Sequence, residues 1–411
     1  MTTERACRLL EWARGHREEL VDYVRRLALA ESPTDDPASQ EPVMSLLGEG
    51  FEAAGLEVRR LPGRTSGGQL LARGSRGLRD GSRGRPLQLL LGHCDTVWPI
   101  GTLREMPVEV TCDVIRGPGV YDMKGGLAQM VFALRALREL DMTPEVPPVA
   151  FVNSDEEKGS RESSRYIEML ARRASRALVV EPAFGPDGRL KTARKGGGRF
   201  EIDIIGKSAH AGLDPEAGAS AILELSHVIQ KLHALNDPER GVTVNVGVIE
   251  GGYRPNVVAA RARALVDVRV PSATDAARVE YAIGTIRPVT PGARIQVGGG
   301  IGRPPMERTP ANRVLWHAAR AAGSELGLEL REAAVGGMSD GNTASLHAPT
   351  LDGMGPTGDG AHASHEFASI DGLVERTALL AAVLLLPAGL EMVGEAAAAD
   401  SGREGSMKRS E

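Results

Sequence analysis

Three apolar runs in this chain, LQLLLGHCDTV, VPPVAFVNSDEE and ALVVEPA, each pass abruptly into a polar segment bearing a histidine or acidic residues. Short apolar runs bounded by turn residues predict buried strands. Helical patterns lie between them, GLAQMVFALRALREL and then ESSRYIEMLARRA. This βαβαβ rhythm predicts an α/β fold with a mostly parallel sheet flanked by helices. In open sheets of that kind the chemistry collects where strands give way to loops. His93, Asp95, Asp122, Glu156, Glu157 and Glu181 occupy such positions, and His362 joins them from far along the chain.

The chain has 411 residues, which suggests two domains. Residues Glu4 to Leu29 read as one or two amphipathic helices, and Glu41 to Ala54 as another, closed by Gly55. LEVRRLPG alternates like a strand. LLARGSRGLRDGSRGRP reads as a mobile hairpin loop. Its basic cluster could bind phosphate, but without interleaved aromatics a solvated turn is the better reading. After KTARKGGG the pattern changes: RFEIDIIGKSAHA alternates with period two, and the order that follows is β-α-β-β-α-β, the split βαβ unit. The expected organisation is a discontinuous catalytic domain, 1–195 and 303–411. Between its halves sits an inserted ferredoxin-like α+β lid or dimerisation domain, 196–302. The tail from Gly394 to Glu411 is small and polar and is expected to be disordered.

Bulk properties exclude several classes. Lys plus Arg number 49 against 54 Asp plus Glu, a net charge of -5 that argues against nucleic acid as a partner. Three cysteines, Cys7, Cys94 and Cys112, make no disulfide framework. The charged N-terminus shows no apolar signal segment, so the cytoplasm is the expected compartment. ALLAAVLLLPAGL is too short to span a bilayer and reads as a core helix, so no membrane association is expected.

Each polar motif has a bland reading beside the chemical one. HCDT places His93 and Asp95 two apart, on one side of an extended segment. His93 could then ligate a metal while Asp95 orients its other ring nitrogen; alternatively it is a satisfied core histidine. Asp122 in GPGVYDMKGG sits in a glycine-rich turn entering a helix, where it could equally be an N-cap. NSDEEKGS sets Asp155, Glu156 and Glu157 side by side, a repulsion tolerated in water or beside cations. One of the pair could ligate while the other faces substrate as a base. Together, two histidines and three or four carboxylates are too acidic for a structural zinc site and suit two divalent ions sharing a bridging carboxylate. A nucleotide-binding oxidoreductase is disfavoured, because no G-x-G-x-x-G opens a helix after the first strand.

LLLGHCDTVWP, GPGVYDMKGG, NSDEEKGS, VVEPA, GKSAHAG, GGYRPNVV, GGMSDGN and GPTGDGAHASHEF, in that order, resemble the successive signatures of the zinc-dependent aminoacylase/carboxypeptidase family. That family includes glutamate carboxypeptidases of the carboxypeptidase G type, succinyl-diaminopimelate desuccinylase and acetylornithine deacetylase. The carboxypeptidase G type is the nearest match, through NSDEEKGS and the GRPP segment. The resemblance implies hydrolysis of an amide bond to a free amino acid by a hydroxide held between two Zn²⁺ per chain, with Co²⁺ or Mn²⁺ as alternatives. It implies that His93 and Glu181 hold one metal, Glu157 and His362 the other, and Asp122 both, with a cis peptide after it. Glu156 would be the general base and Asp95 the orienter of His93. His210, in the lid, would reach the partner subunit of a homodimer and stabilise the oxyanion. Asn256 and Arg269 would hold the substrate carboxylate, and Arg303 would select an acidic side chain, hence glutamate or aspartate. Arg269 has a bland alternative, an ion pair with Asp267 on the same strand face. His365 and Cys94 depart from the pattern and are read as peripheral and as packing. A deacylase of the same family, and a non-catalytic amino-acid-binding protein, remain as alternatives.

Overall fold

The strand Leu87–His93 is buried at every residue. Leu87, Leu89 and Leu91 point into one apolar cluster, with Phe151, Ile167 and Val179. Leu90 points into another, with Leu127, Val152 and Leu178. A strand covered on both faces must be apolar throughout, which is why this segment shows no alternation. The computed structural model describes residues 1–74 and 86–389. Strand Leu87–His93 pairs in parallel with Pro148–Asn153 on one side and Ala174–Val179 on the other; the latter pairs in parallel with Thr350–Leu351. Gln69–Gly74 runs antiparallel to Pro148–Asn153, and Leu56–Leu61 forms the edge beyond it. The central sheet is therefore mostly parallel, with one reversed strand, and helices cover it.

The reversed strand departs from the sequence reading. Leu70–Gly74, all but the first residue of this strand, lie within the segment expected to be a hairpin loop, yet Leu70 and Ala72 are buried in the core. The alternation of Leu70 and Ala72 with Leu71 and Arg73 is a strand pattern, masked by the arginine-rich residues that follow. The basic stretch 75–85 and the tail 394–411 lie outside the described residues. The first helical segment is two helices, Thr3–Gly15 and Arg17–Leu29, divided at His16. The helix Ile370–Leu384 is buried almost all round. Arg176 donates to the carbonyls of Leu386 and Pro387 just beyond it, placing a cation at the negative end of that helix. Among the described residues no helix is long and apolar enough to cross a membrane.

The chain divides into two compact units. One comprises Met1–Thr192, Arg308–Ala334 and the residues from Ser339 on; the other comprises Ala193–Glu307 with Val335–Met338. The second unit is a four-stranded antiparallel sheet of Gly196–Ile205, Thr243–Gly251, Arg261–Val270 and Arg294–Arg303, in the spatial order second, third, first, fourth. Helices Ala221–His233 and Ala273–Gly284 cover one face, packing on Phe200, Ile202, Ile204, Val266 and Val268. The alternation of RFEIDIIG follows from that one-sided burial.

Candidate metal centre

Because the three long central strands are parallel, their C-terminal ends share one edge of the sheet. His93 is the last residue of its strand; Glu156 and Glu157 follow Asn153; Glu181 follows Val179. Three segments distant in sequence thus deliver His93, Glu156, Glu157 and Glu181 to one place. His93 is buried. Its Nδ1 lies 2.9 Å from the Asp95 carbonyl and 3.5 Å from the Asp95 carboxylate. The carbonyl is the closer acceptor, so Asp95 orients the ring mainly through its backbone. The Asp95 carboxylate accepts instead from the amides of Glu156 (3.2 Å) and Glu157 (3.1 Å) and from the Thr34 hydroxyl (2.8 Å). Burial opposes the charge on Asp95, but the neighbouring His93 ring and these donors hold its carboxyl below the usual range.

Asp122 does not cap the following helix, whose start has no side-chain cap. Its backbone is non-helical (φ -113°, ψ 95°) and the Asp122–Met123 peptide is cis. Gly126 lets the helix Gly125–Glu139 close onto the sheet: a Cβ there would stand 2.0 Å from the Val180 carbonyl oxygen. The Asp122 turn is tied down by Glu366, a buried residue whose structural part sequence reasoning did not find. Glu366 Oε1 accepts from the amides of Tyr121 and Asp122, and Oε2 from the amide of Gly119 (each 3.0 Å) and the indole of Trp98 (2.9 Å). Burial pushes its carboxyl up; the four donors oppose that. The only sequence signal was a lone acid four residues after His362.

The two oxygens of Asp122 face different histidines. Oδ1 lies 3.5 Å from His93 Nε2, and Oδ2 lies 3.3 Å from His362 Nε2. His93 Nε2 is also 3.5 Å from Glu181, and His362 Nε2 is 3.2 Å from Glu157. His362 holds a left-handed backbone (φ 61°), unusual for a residue with a Cβ, and its side chain is half exposed. Ligand atoms of His93, Glu156 and Glu181 lie within 4.8 Å of one another, as do those of His93, Asp122 and Glu157. His365 is exposed, and Cys94 is buried, its thiol pushed up to about 12 chiefly by burial.

Electrostatics fit a cation site. Burial disfavours a charged His93, yet the nearby carboxylates of Asp122, Asp95 and Glu181 raise its pKa well above the ordinary value. Asp122 and Glu157 raise His362 to about 10. Burial would raise Asp122, but both histidines hold it far below the carboxylate range; Glu157 is raised by burial, with Asp122 adding to the effect. Asp122 Oδ1 is buried with no hydrogen-bond partner. A buried acceptor left unmatched needs an explanation. Imidazole nitrogens and carboxylate oxygens converging on one point fit borderline divalent ions such as zinc.

The remaining candidates lie on the second unit. His210 is exposed, and its Nδ1 accepts from the amides of Gly212 and Leu213, both at 3.2 Å. A neutral ring with Nδ1 accepting carries its proton on Nε2, which makes that atom a donor. Asn256 is exposed, and its carbonyl accepts from Ala211, so GKSAHAG and GGYRPNVV lie side by side. Arg269 forms a bidentate pair with Asp267, Nε to Oδ1 at 2.9 Å and Nη2 to Oδ2 at 3.1 Å. Arg303 ends the last strand and is buried.

An α/β scaffold with imidazoles and carboxylates at the carboxyl edge of its sheet is the setting of a metal-dependent hydrolase. The chain belongs to peptidase family M20/M25/M40, whose model matches residues 89–386. Enzymes of that family are metal-dependent peptidases and amidohydrolases, and this chain is a hydrolase. It is 30% identical over 314 residues to carboxypeptidase G2 of Pseudomonas sp. (strain RS-16), covering 74% of each chain. It is 30% identical over 218 residues to acetylornithine deacetylase of Myxococcus xanthus, covering 50% of this chain and 55% of that one. Among solved structures, aminopeptidase PepT of Bacillus cereus ATCC 10987 matches with TM-score 0.73 at 23% identity, over 90% of this chain and 98% of that one. The M20 family metallo-carboxypeptidase Sso-CP2 of Sulfolobus solfataricus matches with TM-score 0.66 at 16% identity, over 90% and 98%. At these identities the solved structures speak for the fold.

Proposed function

We propose that this hydrolase cleaves the amide bond to a C-terminal amino acid, glutamate or aspartate by preference, using two divalent ions. The observation that carries the reading is Asp122, whose two oxygens each face one histidine while each histidine also faces one glutamate. One set would be His93 and Glu181, the other His362 and Glu157, with Asp122 shared. Zinc, or cobalt or manganese in its place, would when bound polarise the scissile carbonyl and acidify water.

The chain's own groups do the rest. Glu156 is the base: its carboxylate takes the proton of the attacking water and returns it to the leaving amine as the C–N bond breaks. Asp95 positions it by accepting the amides of Glu156 and Glu157. His210 offers an Nε2–H to the developing oxyanion, and in a homodimer joined through the second unit it would serve the partner's site. Arg269 and Asn256 would hold the substrate's α-carboxylate. The pair with Asp267 engages Nε and Nη2 and leaves Nη1 outside it. Arg303 would meet an acidic side chain. Similarity to carboxypeptidase G2 supports release of a C-terminal amino acid, and similarity to an acetylornithine deacetylase keeps an N-acyl amino acid as the second substrate class.

A substrate panel on the metal-loaded enzyme tests this. N-acyl and dipeptide substrates ending in glutamate should be cleaved faster than those ending in leucine. Amidating the α-carboxylate should reduce kcat/KM by about 1–3 kcal/mol of transition-state binding, because a charged donor loses its partner. Glu156→Gln should lower turnover by ~10²–10⁴ with metal retained. Equal kcat/KM for acid and amide would remove the carboxylate clamp, and near-normal turnover in Glu156→Gln would remove the base.

A further inference from the structure

Asp340, in the motif GGMSDGN, lies within the first unit but has no part in the reaction as described above. It is 3% exposed. Its Oδ2 accepts from the Asn153 side-chain amide at 2.7 Å, and its Oδ1 accepts a short hydrogen bond from the Ser160 hydroxyl. Asn153 is the last residue of its strand, and Ser160 follows the turn Glu156–Lys158. The carboxylate therefore joins the entry and the exit of the loop that carries Glu156 and Glu157.

That loop is built under strain. Ser160 has φ 52°, in the left-handed region that residues with a Cβ rarely adopt. Such a conformation is costly and persists only where surrounding bonds over-determine it. The bonds are present: Ser160 N donates to the Asp155 carbonyl, and the Asp155 carboxylate accepts from the amides of Glu162 and Ser163. Asn153 Nδ2 also donates to Ser163 Oγ, so one amide group ties the strand end both to Asp340 and to the start of the next helix. Asp95 grips the same loop at the amides of Glu156 and Glu157. With Asp95 on the Glu156 and Glu157 amides and Asp340 on the loop's two ends, the backbone beneath Glu156 has little freedom.

We propose that Asp340 is a positioning residue for Glu156: by clasping Asn153 and Ser160 it holds the base at its working height. This rests on the assignment of Glu156 as base. Small displacements of a catalytic group are expensive, because the reacting atoms must meet within a narrow range. Asp340→Ala should lower kcat by at least ~10-fold, with KM within about twofold, in enzyme saturated with metal. Asp340→Asn should recover most of kcat. An amide can accept from Asn153 and donate to Ser160, whose hydroxyl both donates and accepts.

The decisive measurement is a double-mutant cycle in the metal-loaded enzyme. If Asp340 acts through Glu156, adding Asp340→Ala to Glu156→Gln should cost almost nothing beyond Glu156→Gln alone. Full additivity, or a folded Asp340→Ala enzyme with wild-type kcat, would overturn the proposal. Should Asp340→Ala not fold, Ser160→Ala, which removes one of the two links, decides by the same cycle. A Glu156→Gln enzyme with near-normal turnover would fail the base assignment instead. That outcome is distinct from a Glu156→Gln enzyme that is inactive while Asp340→Ala is not.

Discussion

Replacing Glu366 by glutamine tests how the Asp122 turn is held. The Glu366 carboxylate receives four donors, two on each oxygen: Tyr121 and Asp122 on Oε1, Gly119 and Trp98 on Oε2. Glutamine keeps the shape but has one acceptor oxygen. Whichever way its amide turns, an NH₂ group faces two N–H donors that can no longer be paired. Each buried donor left unsatisfied costs about 1–3 kcal/mol, so the substitution should remove about 2–6 kcal/mol. Domains are stable by only about 5–15 kcal/mol, so the loss is readily measured. Denaturant unfolding with chelator present gives the intrinsic loss. The same measurement with saturating zinc should show a weaker metal stabilisation, because the amide of Asp122 is one of the four donors. The result also reports the ionisation of Glu366. Burial pushes this carboxyl up, and a protonated acid would already present an O–H donor, which glutamine mimics. A change smaller than about 0.5 kcal/mol, the range of inert surface substitutions, would refute the four-acceptor account.

Three further outcomes follow from the geometry. Asp122→Ala should lose more metal than Glu156→Gln by elemental analysis, because Asp122 turns one oxygen toward each histidine and Glu156 is assigned as the base; equal losses would contradict the bridge. Without metal, His362 is raised to about 10 by Asp122 and Glu157, so its protonated form is favoured in the folded state; the stability this contributes is fully present below the unfolded value of about 6.5 and is lost as pH rises through about 10. Metal must displace that proton, so calorimetry near neutral pH should show heats that vary with buffer ionisation enthalpy, and binding should tighten as pH rises; buffer-independent heats would refute it. Mixing inactive His210→Ala with inactive Glu156→Gln should restore part of the activity if His210 serves the partner's site, and no recovery after verified subunit exchange would place it in cis or outside the reaction.

The order of strands and helices was legible because burial imposes period. Leu87–His93 had to be apolar on both faces, and Gly196–Ile205 on one. The ends of those runs also marked His93, Glu156, Glu157 and Glu181, since the carboxyl edge of a parallel sheet is where side chains can leave the core. The strand Gln69–Gly74 was missed, because its alternation is short and runs into an arginine-rich stretch. One open reading was decided by packing: Asp122 caps nothing.

Residue pattern alone set the kind of groups available and the edge of the sheet they would occupy. Both follow from local pattern, which is written residue by residue. Packing of the folded chain set which oxygen of Asp122 faces which histidine, that Asp95 spends its carboxylate on the amides of the base loop, and that Glu366 and Asp340 anchor the two loops from behind. Those relations join residues 95, 122, 156, 340 and 366, and no periodicity records them. They arise from the few angstroms by which packed elements approach, such as the contact Gly126 permits with Val180, and close packing sets such distances only once the whole core is assembled.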